Sequence, residues 1–207
     1  MQTRDHLALG RFLLELAGSE ALQKHRRAFL LGCVEPDYNM ATYLRGGRRG
    51  RKLRGHNAEN SLAHLSRCMA ALQTEGLRSF WDYFTLGTML HYAADAFTWP
   101  HNAFWEKSLA QHVAYEKTLH PVFAGALRRS AAGPEHIAPR AALAFFTGNH
   151  CAYSAAPHAM ATDCRYIIGV CGGLLLAALC GAAPAESGES CWKEAAVYAG
   201  ADHYGLV

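Results

Sequence analysis

The chain has 207 residues, 51% of them hydrophobic and 18% charged, and carries a net charge of +3. That length and balance suit a globular protein with a sizeable core, and the modest charge does not by itself mark a nucleic-acid binder. No Pro/Ser-rich linker, charge block or internal repeat divides the chain, so residues 1–207 are expected to form a single domain. The seven cysteines are Cys33, Cys68, Cys151, Cys164, Cys171, Cys180 and Cys191. Their number is odd and none forms a C-x-x-C pair, which argues against a zinc ribbon or a closed disulfide framework. Buried free thiols in a reducing compartment are the simplest reading.

In chain order, Leu7, Leu9, Phe12, Leu13 and Leu16 lie on one face of a first helix. Its apolar residues are interrupted by Arg11 and Glu15, so the N-terminus does not read as a secretory signal, and a cytoplasmic location is expected. A second helix is expected over 20–31, broken by Gly32 and Pro36. The Gly/Arg-rich stretch TYLRGGRRGRKLRG reads as a loop. Further helices are expected over 57–72, 77–97 and 103–128, with Pro100 ending the second of these. Others are expected over 136–147, 157–180 and, briefly, 191–199. Residues 167–183 carry no charge, but the length and flanks favour a buried core helix over a membrane span. No stretch alternates with period two for long enough to make a strand, so the class is an all-α multi-helix bundle.

The chemistry concentrates in HYAADAFTWPH, residues 91–101, and in HVAYE, residues 112–116. With 12 His and 17 acidic residues in the chain, chance supplies about one His-x-x-x-acid pair, and two occur, so the count alone decides nothing. The arrangement carries more weight. Residues i and i+4 of a helix have Cβ atoms about 5–6 Å apart, so an imidazole and a carboxylate can reach one ion. His91/Asp95 and His112/Glu116 are two such clips on successive helices, with His101 in the turn between them. Each has an ordinary structural reading: a buried hydrogen-bonded pair, a solvated helix pair and a loop histidine. Together they favour metal, because several buried ionisable groups need a shared counter-charge.

This order of motifs resembles the zinc-dependent phospholipase C family and, more distantly, the S1/P1-type nucleases. Upstream, GCVEPDYN resembles the family loop that supplies an aspartate (Asp37), GHNAENS the segment that supplies a histidine (His56), and RDHLALGRFLL the N-terminal helix with His6. The resemblance implies an all-helical fold around a cleft with two or three zinc ions. It places Asp37, His56, His91 and Asp95 on one ion, and His101, His112 and Glu116 on the second. A third ion takes His6 and shares Asp95 as a bridging carboxylate. Secreted members complete the third site with a freed N-terminal tryptophan; this chain begins MQTRDH, which leaves the Met1 terminus or Asp5 for that role. The implied reaction is metal-assisted hydrolysis of a phosphodiester, with Asp37 as the carboxylate that ligates metal and orients or deprotonates the attacking water.

The loop 45–54 has six cations between two of these proposed ligands. Arg48, Arg49, Arg51 and Lys52 are expected to recruit an anionic substrate, whether phospholipid, a membrane surface or polynucleotide; a flexible solvated loop is the bland alternative. Tyr38, Tyr43, Trp99, Phe104 and Trp105 either line the cleft or belong to the core. The remaining histidines match no motif and read as surface or hydrogen-bonded core residues. Three functions follow: a phospholipase C-like hydrolase, an S1/P1-type nuclease or nucleotidase, and a non-enzymatic metal-stabilised bundle that binds anionic ligands or a membrane surface.

Overall fold

The computed structural model describes residues 1–39, 58–130 and 135–181, and among them every regular element is helical. The helices are α1 (Thr3–Ala17), α2 (Glu20–Lys24), α3 (Arg26–Tyr38), α4 (Ala58–Glu75), α5 (Phe80–Ala96), α6 (Leu109–Arg129), α7 (Ala142–Ala155) and α8 (Met160–Gly181). Short 3-10 turns at Trp99–His101 and Pro139–Ala141 precede α6 and α7. The all-α expectation holds. The short helix expected over 191–199 lies outside the described residues.

Local chemistry sets the boundaries. Gly18 ends α1 at φ 56°, a backbone conformation glycine adopts without a Cβ penalty. Ser79 and Ser108 each close a capping box, with Asp82 and Gln111 respectively, so α5 starts at Phe80 and α6 at Leu109. Both begin several residues later than apolar periodicity alone suggests. The expected break at Gly32 and Pro36 does not occur, because α3 continues to Tyr38 with Pro36 inside it. Its end is held by Asn39, whose backbone N–H and side-chain amide both donate to Glu35. The helix expected over 136–147 instead runs Ala142–Ala155, after a 3-10 turn opened by Pro139.

Helix α5 is the centre of the bundle and is buried on nearly every side from Tyr83 to Ala96. Its most extensive contact is with α3, and α4 and α8 cover it elsewhere. The α3–α5 contact is backbone against backbone. A Cβ added at Gly32 would meet the Phe84 carbonyl oxygen at 2.1 Å, and one at Gly87 would meet the Phe29 carbonyl oxygen at 2.2 Å. Leu13, Phe29, Leu86, Leu90, Phe97, Phe123 and Leu174 belong to one continuous core, each side chain contributing about 1.5–3 kcal/mol through burial. Helix α8 is long and apolar enough to cross a membrane, yet it packs on α5, α6 and α7 and buries 56% of its most apolar window. It reads as the expected core helix.

Of the described cysteines, Cys33, Cys68, Cys164 and Cys171 are buried free thiols. Cys151 is exposed, which corrects the expectation that all are buried.

Candidate metal centre

The glycine contact between α3 and α5 determines how His91 points. It brings the Cys33 carbonyl within 2.8 Å of His91 Nδ1, which donates to it, leaving Nε2 as the lone-pair nitrogen. Nε2 lies 3.3 Å from Asp95 Oδ2, one helical turn on, and 3.6 Å from Oδ1 of Asp37 in the last turn of α3. The sequence reading put Asp37 in a loop; the structure puts it on a helix end facing the same cluster.

His6 enters from α1 and stacks on His91, with ring centroids 3.7 Å apart and planes 17° from parallel. Its Nε2 is 3.2 Å from Asp95 Oδ1. The two carboxylate oxygens of Asp95 therefore face different histidines, the geometry a bridging carboxylate requires. His6, His91 and Asp95 are each 1% exposed.

The second triad is built from the 3-10 turn and α6. His101 Nε2 and His112 Nε2 lie 3.2 Å and 2.9 Å from the same oxygen of Glu116. The turn is fastened by Asn102, whose amide donates to the carbonyls of Ala96 and Thr98 while His150 Nε2 meets its oxygen at 2.9 Å. His101 Nε2 is also 3.7 Å from Asp95 Oδ1, so the two triads adjoin.

Between them sits the α-amino group of Met1, 2.7 Å from Asp95 Oδ1, 3.1 Å from Glu116 Oε1 and 3.1 Å from His101 Nε2. Asp5, the other residue considered for that position, instead contacts His120 Nδ1 from α6.

Charge in the cluster follows from burial and proximity. Burial, reinforced by His91, lowers the His6 pKa to about 4. Burial also lowers that of His101. Burial works against the Asp95 carboxylate, yet His101, the Met1 ammonium, His6 and His91 together hold it well below the usual carboxylate range. Glu116 is lowered as well, against burial, by the Met1 ammonium and its two histidine partners. Burial disfavours the ammonium of Met1, but Asp95 and Glu116 outweigh it and raise its pKa to about 11. At neutral pH the imidazoles of His6 and His101 are therefore neutral and face the ionised carboxylates of Asp95 and Glu116.

The donor set fits zinc. Four ligands about 2.1 Å from one ion in tetrahedral array lie about 3.4 Å from one another. The nitrogen–oxygen separations within the triads, 2.9–3.3 Å, are close to that edge. Within each triad the ligand atoms all lie within 4.8 Å of one another. The most telling group is His6: both its ring nitrogens are buried and make no hydrogen bond, although Nε2 is 3.2 Å from a carboxylate oxygen. A nitrogen and an oxygen so close but misaligned for a hydrogen bond are oriented as two ligands of a third centre.

The chain matches the zinc-dependent phospholipase C family over residues 5–160. It belongs to that family. No curated protein and no solved structure matches the chain. Membership makes the protein a hydrolase at family level, implies zinc, and implies a phospholipid or other phosphodiester substrate. Apart from the Met1 amine, every ligand inferred from the sequence lies within the match.

His6, Asp37, His91, Asp95, His101, His112 and Glu116 lie together in one cluster, while His56 and the cations Arg48, Arg49, Arg51 and Lys52 lie outside the described residues. Trp99 and Trp105 are half-buried and meet edge to face at 5.2 Å, with Lys107 Nζ 4.9 Å and 5.1 Å from their ring centroids. They form a wall beside the second triad, the Trp105 ring lying 6.4 Å from that of His112. Among the histidines that match no motif, His120 is a hydrogen-bonded residue at the edge of the core, where it meets the buried Asp5 carboxylate. Sequence spacing missed Tyr115 and Asp163, which are joined by a 2.8 Å hydrogen bond, Tyr115 being the residue before Glu116.

Proposed function

We propose that the protein hydrolyses a phosphate diester, in the first instance a phospholipid, at a zinc cluster. The ligands are Asp37, His56, His91 and Asp95 on one ion; His101, His112 and Glu116 on the second; and His6, Asp95 and the Met1 amine on a third. The observation that supports this most is the junction of the two triads at Asp95 and Met1, which joins their imidazoles and carboxylates into one continuous polar cluster. Bound zinc supplies Lewis-acid charge for the phosphoryl oxygens and acidifies water at neutral pH.

The chain's own residues do the rest. Asp37 stands at the rim with its side chain 16% exposed, so its carboxylate can reach both the cluster and an incoming water, orienting that water and accepting its proton. The Cys33 carbonyl keeps His91 in one tautomer. The wall of Trp99 and Trp105 limits water on the side of the second triad.

The test is zinc analysis of protein purified without chelator, followed by rates on a choline-phosphate ester, a chromogenic phosphodiester and single-stranded DNA. Two or three equivalents of zinc are expected, with the choline-phosphate ester preferred over DNA. His91→Ala should lower the rate by more than about 100-fold, beyond the loss typical of an outer-shell partner. Protein without zinc, or a rate unmoved by His91→Ala, sinks the assignment; preference for DNA replaces lipid by polynucleotide.

A further inference from the structure

Three residues beyond the end of the family match, near the start of α8, Asp163 is 0% exposed and gathers three donors from three other elements. The Trp99 backbone N–H donates to Oδ2 at 3.1 Å, the Tyr115 hydroxyl to the same oxygen at 2.8 Å, and the Tyr153 hydroxyl to Oδ1 at 2.8 Å. These donors bear directly on the second triad. Trp99 opens the 3-10 turn that ends in His101. Tyr115 immediately precedes Glu116 on α6, three residues after His112. Tyr153 ties the same carboxylate to α7.

We infer that Asp163 is a positioning residue for the second triad: one buried carboxylate locks the turn carrying His101 against the helix carrying His112 and Glu116. The inference rests on the reading that this triad holds zinc. Its physical basis is that the turn and α6 are joined by the connection 102–108, which leaves their relative placement to cross-links. Asp163 is such a cross-link, with both elements fixed through the same Oδ2 atom. A shift of one element by half an ångström changes the His101–Glu116 and His112–Glu116 separations unequally, and a tetrahedral ligand set tolerates little of that. The hydroxyls of Tyr115 and Tyr153 donate to Asp163, and both act through it.

The discriminating comparison is Asp163→Asn against Asp163→Ala. Asparagine can keep its oxygen towards Trp99 and Tyr115 while its amide donates to the Tyr153 hydroxyl oxygen, so all three links survive without the charge. Alanine removes all three. Zinc content and affinity are measured by competition with a chromophoric chelator, and ligand geometry by the visible spectrum of the cobalt-substituted protein; helix content is followed by circular dichroism. His112→Ala marks the loss of the second-triad ion.

Asp163→Ala is expected to weaken that ion by about 10–100-fold, as outer-shell changes do, and to lose one equivalent of zinc while the ion at His91 and Asp95 stays. Asp163→Asn should remain near wild type in zinc content and in the cobalt spectrum. Should Asp163→Ala not fold, Tyr115→Phe, which removes one link only, should weaken the same ion and leave the other. A folded Asp163→Ala, or Tyr115→Phe in its place, with wild-type zinc affinity and cobalt spectrum overturns the inference. So does Asp163→Asn failing as badly as alanine, since charge rather than placement would then be at work. If His112→Ala holds as much zinc as wild type, the metal reading of this triad is wrong and the inference falls with it; that failure shows in the His112→Ala variant, before any Asp163 variant is compared.

Discussion

Gly87→Ala tests whether helix contact positions the metal cluster. In the structure the new methyl carbon would lie 2.2 Å from the Phe29 carbonyl oxygen and 2.8 Å from the Cys33 backbone nitrogen. Ordinary carbon–oxygen contacts need about 3.3 Å, so α3 and α5 must part by about 1 Å. The obstacles are backbone atoms that no rotamer change can move, which puts the cost at the upper end of overpacking, about 3 kcal/mol. The same displacement would stretch the His91–Cys33 hydrogen bond, 2.8 Å long, to about 3.8 Å, beyond hydrogen-bonding range. His91 would lose the partner that selects its tautomer, and zinc affinity should fall about 10–100-fold. Urea unfolding followed by circular dichroism gives the first magnitude and a chelator titration the second. Gly148→Ala in α7 is the control: nothing lies within 4 Å of its added Cβ, so it should be neutral or stabilise by about 0.5–1 kcal/mol, since alanine is the better helix former. A Gly87→Ala protein as stable as Gly148→Ala, with wild-type zinc affinity, would refute the idea that this contact positions His91.

Other outcomes follow from the same geometry. In metal-free protein the Met1 ammonium, raised from 8.0 to about 11, adds stability that is complete below pH 8 and lost as pH rises towards 11; melting temperatures across that range should fall. Protein saturated with zinc should lack that fall, because an amine that ligates metal is already deprotonated. His120→Ala removes the partner of the Asp5 carboxylate, which is 1% exposed, and should destabilise by about 2–3 kcal/mol in urea unfolding, with Asp5→Asn in the same background recovering part of it. A thiol reagent should label Cys151 in native protein while sparing Cys68 and Cys164, whose thiols burial pushes up to about 11 and about 12; equal labelling of all three would contradict the packing.

Much of the cluster was legible because metal ligation leaves a local signature. His91/Asp95 and His112/Glu116 sit at the i, i+4 spacing, and Asp37, His6 and His101 stand in the family's order around them. Helix starts were legible in principle but require reading caps before periodicity: Ser79 and Asp82, Ser108 and Gln111 are S-x-x-D and S-x-x-Q signals that override the apolar residues ahead of them. Gly32 misled as a breaker because its role is interhelical, a close approach of two backbones that no local pattern announces. Pro36 then lies within a helix whose packing on α5 outweighs a proline penalty of about 3 kcal/mol. Asp163 had no signature at all. Its partners lie 64, 48 and 10 residues away and include a backbone amide, so only the folded chain brings them together.

The two halves of the cluster are therefore fixed by different physics. The first triad depends on the absence of side chains at Gly32 and Gly87, which lets α3 carry Asp37 and the Cys33 carbonyl up to His91. The second depends on a polar cross-link, with Asp163 and Asn102 holding a turn that has no helix of its own to stiffen it. Asp95 joins them, one residue before α5 ends, where its Oδ2 faces His91 and its Oδ1 faces His6, Met1 and, farther off, His101. Loosening the α3–α5 contact should therefore disturb the His91 side first, and loosening the Asp163 link the His101 side first. A substitution at Asp95 should disturb the ions at His91 and at His6 together, so the zinc lost on Asp95→Ala should exceed the loss from either His91→Ala or His112→Ala. Equal losses from all three, read by metal analysis on folded protein, would mean that Asp95 serves one ion and bridges nothing.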